Sequence, residues 1–141
     1  MIFCLIILIC SHLAMPIPLI HPSSIIVKGP CKSGKTVFLR RLLAEKMLSP
    51  MSSRIVIVFS EWKPEYNRVE YFNPKTEFIK APMAPFLEES FSPKDANLLV
   101  IDDQMTSETH EKTDKLEKYF IQGSHHRNLS VILILQNLFQ K

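Results

Sequence analysis

One short segment restricts the fold of this chain more than any other. Only three glycines occur in 141 residues, and two of them, Gly29 and Gly34, bracket a single loop. The run Gly29-Pro30-Cys31-Lys32-Ser33-Gly34-Lys35-Thr36 has the spacing G-x-x-x-x-G-K-[ST]. Glycine lets the backbone curl so that successive N–H groups converge on an anion. The lysine adds a point charge for outer phosphates, and the threonine hydroxyl suits Mg²⁺. The flanks agree with this reading. Ser24-Ile25-Ile26-Val27 is a β-branched run of the kind buried in a parallel sheet. After Thr36, the apolar residues Val37, Leu39, Leu42, Leu43 and Met47 recur close to helical spacing. Arg40, Arg41, Glu45 and Lys46 fall mostly on the opposite side, and Ser49-Pro50 is the expected stop. Strand, glycine loop and helix in this order predict a phosphate cradle over residues 29 to 36. The plain alternative is a glycine turn that binds nothing.

The remaining chain alternates strand and helix signals. Arg54 to Phe59 reads as a second buried strand, ended by Ser60-Glu61-Trp62-Lys63-Pro64. Residues 67–96 carry Pro74, Pro82, Pro85 and Pro93, which predict a loop-rich connection with a short strand near Glu77 to Lys80. Asn97 to Ile101 is the third strong strand and Ser130 to Leu135 the fourth. Between them, Glu108 to Gln122 reads as a helix with Leu116, Tyr119 and Phe120 inward and Gly123 as its cap. The pattern predicts an α/β fold with a mainly parallel sheet covered on both faces.

The third strand runs directly into Asp102-Asp103. In parallel α/β sheets ligands lie beyond the carboxyl ends of strands, where a glycine loop also opens. Asp102 is the expected Mg²⁺ partner, directly or through water, and Asp103 the base that orients an attacking water. Strands also end in Asp merely to start a turn, so the pair gains meaning only beside the loop. The fourth strand ends in Gln136-Asn137. An amide there either reaches a γ-phosphate or simply marks the exit from a buried strand. His125-His126 reads as loop, and Arg127 as a solvated arginine or a finger for a neighbouring subunit.

Composition bounds the rest. A formal charge of +3, without a basic block, is too mild to argue nucleic-acid binding alone. Cys4, Cys10 and Cys31 form neither a disulfide framework nor a metal spacing, which fits reduced, intracellular thiols. Residues 1–20 contain no Asp, Glu, Lys or Arg. A signal peptide, a membrane anchor interrupted by His12, Pro16 and Pro18, and a segment foreign to the domain are the competing readings. The third is preferred, because export would strand an ATP site outside the cell; the membrane anchor is the next reading, though a membrane partner is not favoured. The expected domain is therefore 21–141.

Several segments together resemble the DNA-packaging ATPases of Polinton/Maverick elements and large DNA viruses, within the FtsK–HerA group. They are the glycine loop with Thr36-Val37-Phe38-Leu39, then Glu61-Trp62-Lys63-Pro64, then Asn97 to Met105. The most specific are Gly123-Ser124-His125-His126-Arg127-Asn128-Leu129-Ser130-Val131-Ile132 and Gln136-Asn137-Leu138-Phe139. The resemblance implies a P-loop NTPase three-layer sandwich, ATP with Mg²⁺, a homo-oligomeric ring, and movement of double-stranded DNA into a capsid in the virion or nucleus. It implies Gly29, Pro30, Cys31, Lys32, Ser33, Gly34, Lys35 and Thr36 around the phosphates (Walker A). It further implies Thr36 and Asp102 on Mg²⁺ (Walker B), Asp103 as catalytic acid and Gln136 as γ-phosphate sensor. There are departures. Cys31-Lys32 stands where similar proteins carry a small residue and glycine, and Asp103 where many relatives use glutamate. The chain ends five residues after Gln136, so at least one C-terminal strand is expected to be missing. An inactive nucleotide-binding remnant is the first alternative to a working motor. A small P-loop kinase is the second, disfavoured because the 67–96 stretch has only Arg68 for an arginine lid.

Overall fold

The computed structural model of the chain describes residues 4–8, 19–30, 32–68, 76–81, 87–102 and 127–135. In chain order its elements are β1 (Cys4–Leu8), β2 (Leu19–Ile20), β3 (Ser24–Lys28), α1 (Lys35–Ala44), β4 (Leu48–Ser49) and β5 (Arg54–Phe59). Then follow β6 (Thr76–Lys80), a 3-10 turn (Leu87–Ser90), β7 (Asn97–Asp102) and β8 (Leu129–Leu135). Six strands form one sheet in the order β1-β3-β8-β7-β5-β6, and each of its pairings is parallel. The α/β class and the parallel sheet expected from the alternating pattern are therefore present. The expected helix over 108–122 lies outside the described residues.

The sheet is buried on both sides, which is why its inner strands read as unbroken apolar runs rather than alternating ones. Every residue of β7 and β8 is buried. On one face Ile25, Ile57, Val100 and Ile132 pack against Leu39, Leu42 and Leu43 of α1. On the other, Val56, Leu99, Ile101 and Val131 pack with Leu87 and Phe91 at the 3-10 turn. Each fully buried Val, Leu or Ile contributes about 1.5–3 kcal/mol, so these two layers dominate the stability of the sheet. β6 closes one edge with Glu77 and Lys80 exposed, the usual protection of an edge strand by charge.

Three local features differ from the sequence reading. The helix does not run on to Ser49 but stops at Ala44. Lys46 takes a left-handed φ of 50°, the Lys46 N–H donates to Leu43 O, and the Met47 N–H donates to Leu42 O at 3.0 Å. This is a Schellman ending with lysine where glycine is usual. Leu48 and Ser49 are thereby freed to pair with Leu19 and Ile20 in a separate two-stranded parallel ribbon. Val37, expected on the apolar face, is 40 % exposed. Finally, the boundary drawn at residue 20 crosses packed structure. Cys4 to Leu8 pair with Ser24 to Lys28, and Leu19 belongs to the core on the α1 face. β3 is consequently an inner strand, flanked by β1 and β8. Among the described residues no helix is long and apolar enough to cross a membrane.

The amino ends of the strands are tied by a neutral polar network. His21 is buried, with Nδ1 2.6 Å from Ser130 Oγ. Its Nε2 is 3.0 Å from Asn128 Oδ1 and 3.1 Å from Asn128 O. Both Nε2 partners are acceptors, so the proton is on Nε2 and Nδ1 accepts from the Ser130 hydroxyl. Ser130 Oγ in turn accepts from Ser23 N–H at 3.0 Å. Burial pushes the His21 pKa below its ordinary 6.5, against the raising effect of the bonds to Asn128. Beside it, Asn97 Nδ2 donates to the carbonyls of Ser92, Asp95 and Arg127.

Candidate functional site

The glycine loop leaves the carboxyl end of β3. Gly29 N–H donates to Leu135 O at 3.2 Å, so the ladder with β8 continues one step into the loop and pins its start. Ser33 N–H closes a turn onto Pro30 O at 3.2 Å. A Cβ on residue 29 would lie 2.5 Å from Ser33 Oγ, so the curl needs glycine there unless Ser33 turns away. Gly34 has φ +92° and caps α1, a left-handed conformation that a side chain disfavours. Lys32 has φ 60°, at the position where a glycine was noted as the commoner residue. A lysine held there costs about 1–2 kcal/mol.

Lys35 opens α1 and is only 8 % exposed. Its Nζ reaches back across the loop and donates to Gly29 O at 2.7 Å and Pro30 O at 2.6 Å, with Ser33 Oγ at 3.5 Å. The ammonium is thus held at the centre of the curl. Phe38 N–H donates to Gly34 O at 2.8 Å, which begins the helical ladder. Among the described residues no side chain caps the first turn of α1, and no acidic residue lies in that turn. The helix therefore presents its first N–H groups and the positive end of its dipole at the same point as Lys35. Thr36 is half-buried in that turn.

Asp102 ends β7. In register it faces Ile134 of β8, which faces Val27 of β3. With strands about 4.8 Å apart, Asp102 lies roughly 10 Å from Val27 across the sheet. The glycine loop starts two residues after Val27, at the same carboxyl edge. Side chains alternate along a strand, and Leu98 and Val100 point to the α1 face, so Asp102 does too. The structure thus brings Lys35, Thr36 and Asp102 to one end and one face of the sheet.

Asp102 is 1 % exposed. Its Oδ2 accepts from Lys63 Nζ at 2.8 Å and from the Tyr66 hydroxyl. Its Oδ1 is buried without a partner among the described residues. The two donors come from the segment after β5, where helical-turn hydrogen bonds link Tyr66 N to Lys63 O and Asn67 N to Pro64 O. Trp62 and Tyr66 stack edge-on at 5.4 Å and pack with Phe59 and Phe78, which fixes that turn over the tip of β7. Lys63 and Tyr66 were not singled out as site residues. The signal that finds them is the strand order: β5 pairs with β7, and Phe59 faces Asp102. The residues after Phe59 must then pass over the carboxylate.

Among the described residues, a carboxylate oxygen without a partner, a threonine at the same edge of the sheet and a helix start with no N-cap side-chain bond are a donor set that fits a Mg²⁺–phosphate group. Mg²⁺ characteristically takes one or two protein oxygens and completes its shell with phosphate and water. Among the described residues no cluster of three or more His, Cys, Asp or Glu offers a self-sufficient metal cage. Cys31, Asp103, His125, His126 and Gln136 lie outside the described residues. Arg127 is at the amino end of β8, opposite to the glycine loop. No protein-family model, curated protein or solved structure gives a significant match to this chain.

Proposed function

We propose that this chain is an ATP-binding and ATP-hydrolysing P-loop domain of the kind that drives DNA packaging. The observation that carries the nucleotide reading is the shared edge of Lys35, Thr36 and Asp102 at the mouth of a curled loop. The loop amides and the start of α1 would take the β- and γ-phosphates, with the Lys35 ammonium exchanging loop carbonyls for phosphate oxygens. Thr36 and Asp102 would hold Mg²⁺, which when bound supplies charge neutralisation of the phosphates. Phosphoryl transfer asks mainly for positioning and electrostatics, so these residues suffice to bind and orient the triphosphate. Asp103 as the water-orienting acid, Gln136 as γ-phosphate sensor, Arg127 as finger in a ring, and double-stranded DNA and a capsid as partners rest on the family resemblance. An intracellular location follows from the need for ATP.

A non-hydrolysing nucleotide-binding remnant is the second reading. It is favoured by Lys32 in a left-handed conformation and by Lys63 on the Asp102 carboxylate. ATP hydrolysis measured with and without double-stranded DNA, beside Lys35→Ala, separates the two. DNA-stimulated turnover that disappears in Lys35→Ala supports the motor. Tight ATP binding without turnover supports the remnant, and absence of ATP binding removes both.

A further inference from the structure

A carboxylate as buried as Asp102 is ordinarily paired with a cation. Lys63 supplies one, 2.8 Å from Oδ2. The two groups holding that oxygen differ in how easily they can leave. Tyr66 is fully buried within the aromatic cluster and stays. The Lys63 side chain is 33 % exposed and rises from the loop just before Pro64, so its ammonium can move into water without disturbing the core. A divalent cation at Asp102 would meet this ammonium within a few ångströms, where like charges repel strongly in a partly buried site. The carboxylate can hold one or the other.

Resting on the reading of Asp102 as the metal-side carboxylate, we infer that Lys63 is an exchangeable counter-ion: it neutralises Asp102 in the metal-free protein and is displaced when a divalent cation enters. Lys63 is then a positioning residue. It holds the carboxylate in place together with Tyr66, and it weakens binding of the metal alone. Phosphate oxygens delivered by a nucleotide bring the extra negative charge that tips the exchange. The site thereby favours metal with nucleotide over metal by itself.

The test uses the full chain and Mn²⁺ alone, with free Mn²⁺ followed by electron paramagnetic resonance. Lys63→Met is expected to bind Mn²⁺ about tenfold more tightly than the parent, because a nearby positive charge is gone. Lys63→Arg, which keeps the charge, is expected to bind no more tightly than the parent. In the parent, Mn²⁺ is expected to raise the acetylation rate of the Lys63 amine severalfold, read by peptide mass spectrometry. In Asp102→Asn that rate is expected to be insensitive to Mn²⁺. The labelling needs no substitution at Lys63, so it decides the matter even if Lys63→Met does not fold. Equal Mn²⁺ affinity in a folded Lys63→Met, or Lys63 reactivity in the parent blind to Mn²⁺, overturns the exchange. Binding of a fluorescent ATP analogue is measured separately; its absence would count against the nucleotide reading and leave the Mn²⁺ result to stand or fall alone.

Discussion

The two ends of the sheet bury polar groups of different kinds, and each leaves one oxygen, Asn97 Oδ1 or Asp102 Oδ1, without a partner among the described residues. At the amino end, His21, Ser130 and Asn128 are neutral and close on one another and on the backbone. At the carboxyl end the buried groups are Lys35 and Asp102, and one partner of Asp102, the Lys63 ammonium, is part-exposed and movable. Lys35 leans on loop carbonyls, and Asp102 leans on a lysine from the loop after β5, while one of its oxygens has no partner among the described residues. A neutral network in low dielectric stabilises the fold once all its members are in place. A charged group held by groups that can depart is instead poised to take a ligand. The difference separates a region built of neutral, mutually bonded groups from one suited to exchange.

Substitutions at the two ends should therefore fail in different assays. The largest effect is expected from Lys35→Ala, which should weaken ATP binding by about a thousandfold, the worth of roughly two charge-assisted hydrogen bonds. Its unfolding free energy in urea should shift by no more than about 1 kcal/mol. His21→Ala should do the reverse, lowering stability by about 2 kcal/mol through lost bonds and a small cavity while ATP affinity is kept. A loss of ATP affinity in His21→Ala as large as in Lys35→Ala would erase the distinction between the ends.

Acidification sharpens the same comparison. The folded-state pKa of His21 lies below 6.5, so the unfolded chain takes up the proton first. The stability contributed by neutral His21 is therefore complete above pH 6.5 and is lost as pH falls through the lowered folded value. Urea midpoints measured from pH 7.5 down to 5 should fall, and His21→Gln should flatten that part of the profile. The smallest effect is expected in the loop. Lys32→Gly relieves a left-handed lysine and should raise stability by about 0.5–1 kcal/mol, after the greater freedom of glycine in the unfolded chain is counted. A decrease in its melting temperature would show that the Lys32 side chain contributes contacts that offset the strain.

Legibility in the sequence varied with how local the cause was. β5 was read at Arg54 to Phe59, as found, because a β-branched run bounded by polar residues admits little else. The end of α1 was misplaced because lysine, not glycine, takes the left-handed position after it. The terminal helix signal then passed to Pro50, and the pairing of Leu48 with Leu19 was invisible. The apolar stretch at the amino terminus was set apart because an exported or signal segment would strand an ATP site outside the cell. Its pairing with β3 depends on an edge that only the assembled sheet offers.

Gly29, Gly34, Lys35 and Thr36 could be placed from spacing because a curled loop at a helix start is built from neighbours in the chain. The place of Asp102 at a strand end followed from the apolar run before it, whereas its burial did not. The pairing of Asp102 with Lys63 and Tyr66, 39 and 36 residues earlier, could not be placed so. It exists because β5 lies beside β7 in the sheet, and strand order is a property of the packed chain. Short-range backbone chemistry is written in consecutive residues, whereas the counter-ion of a buried charge is whichever group the fold carries past it.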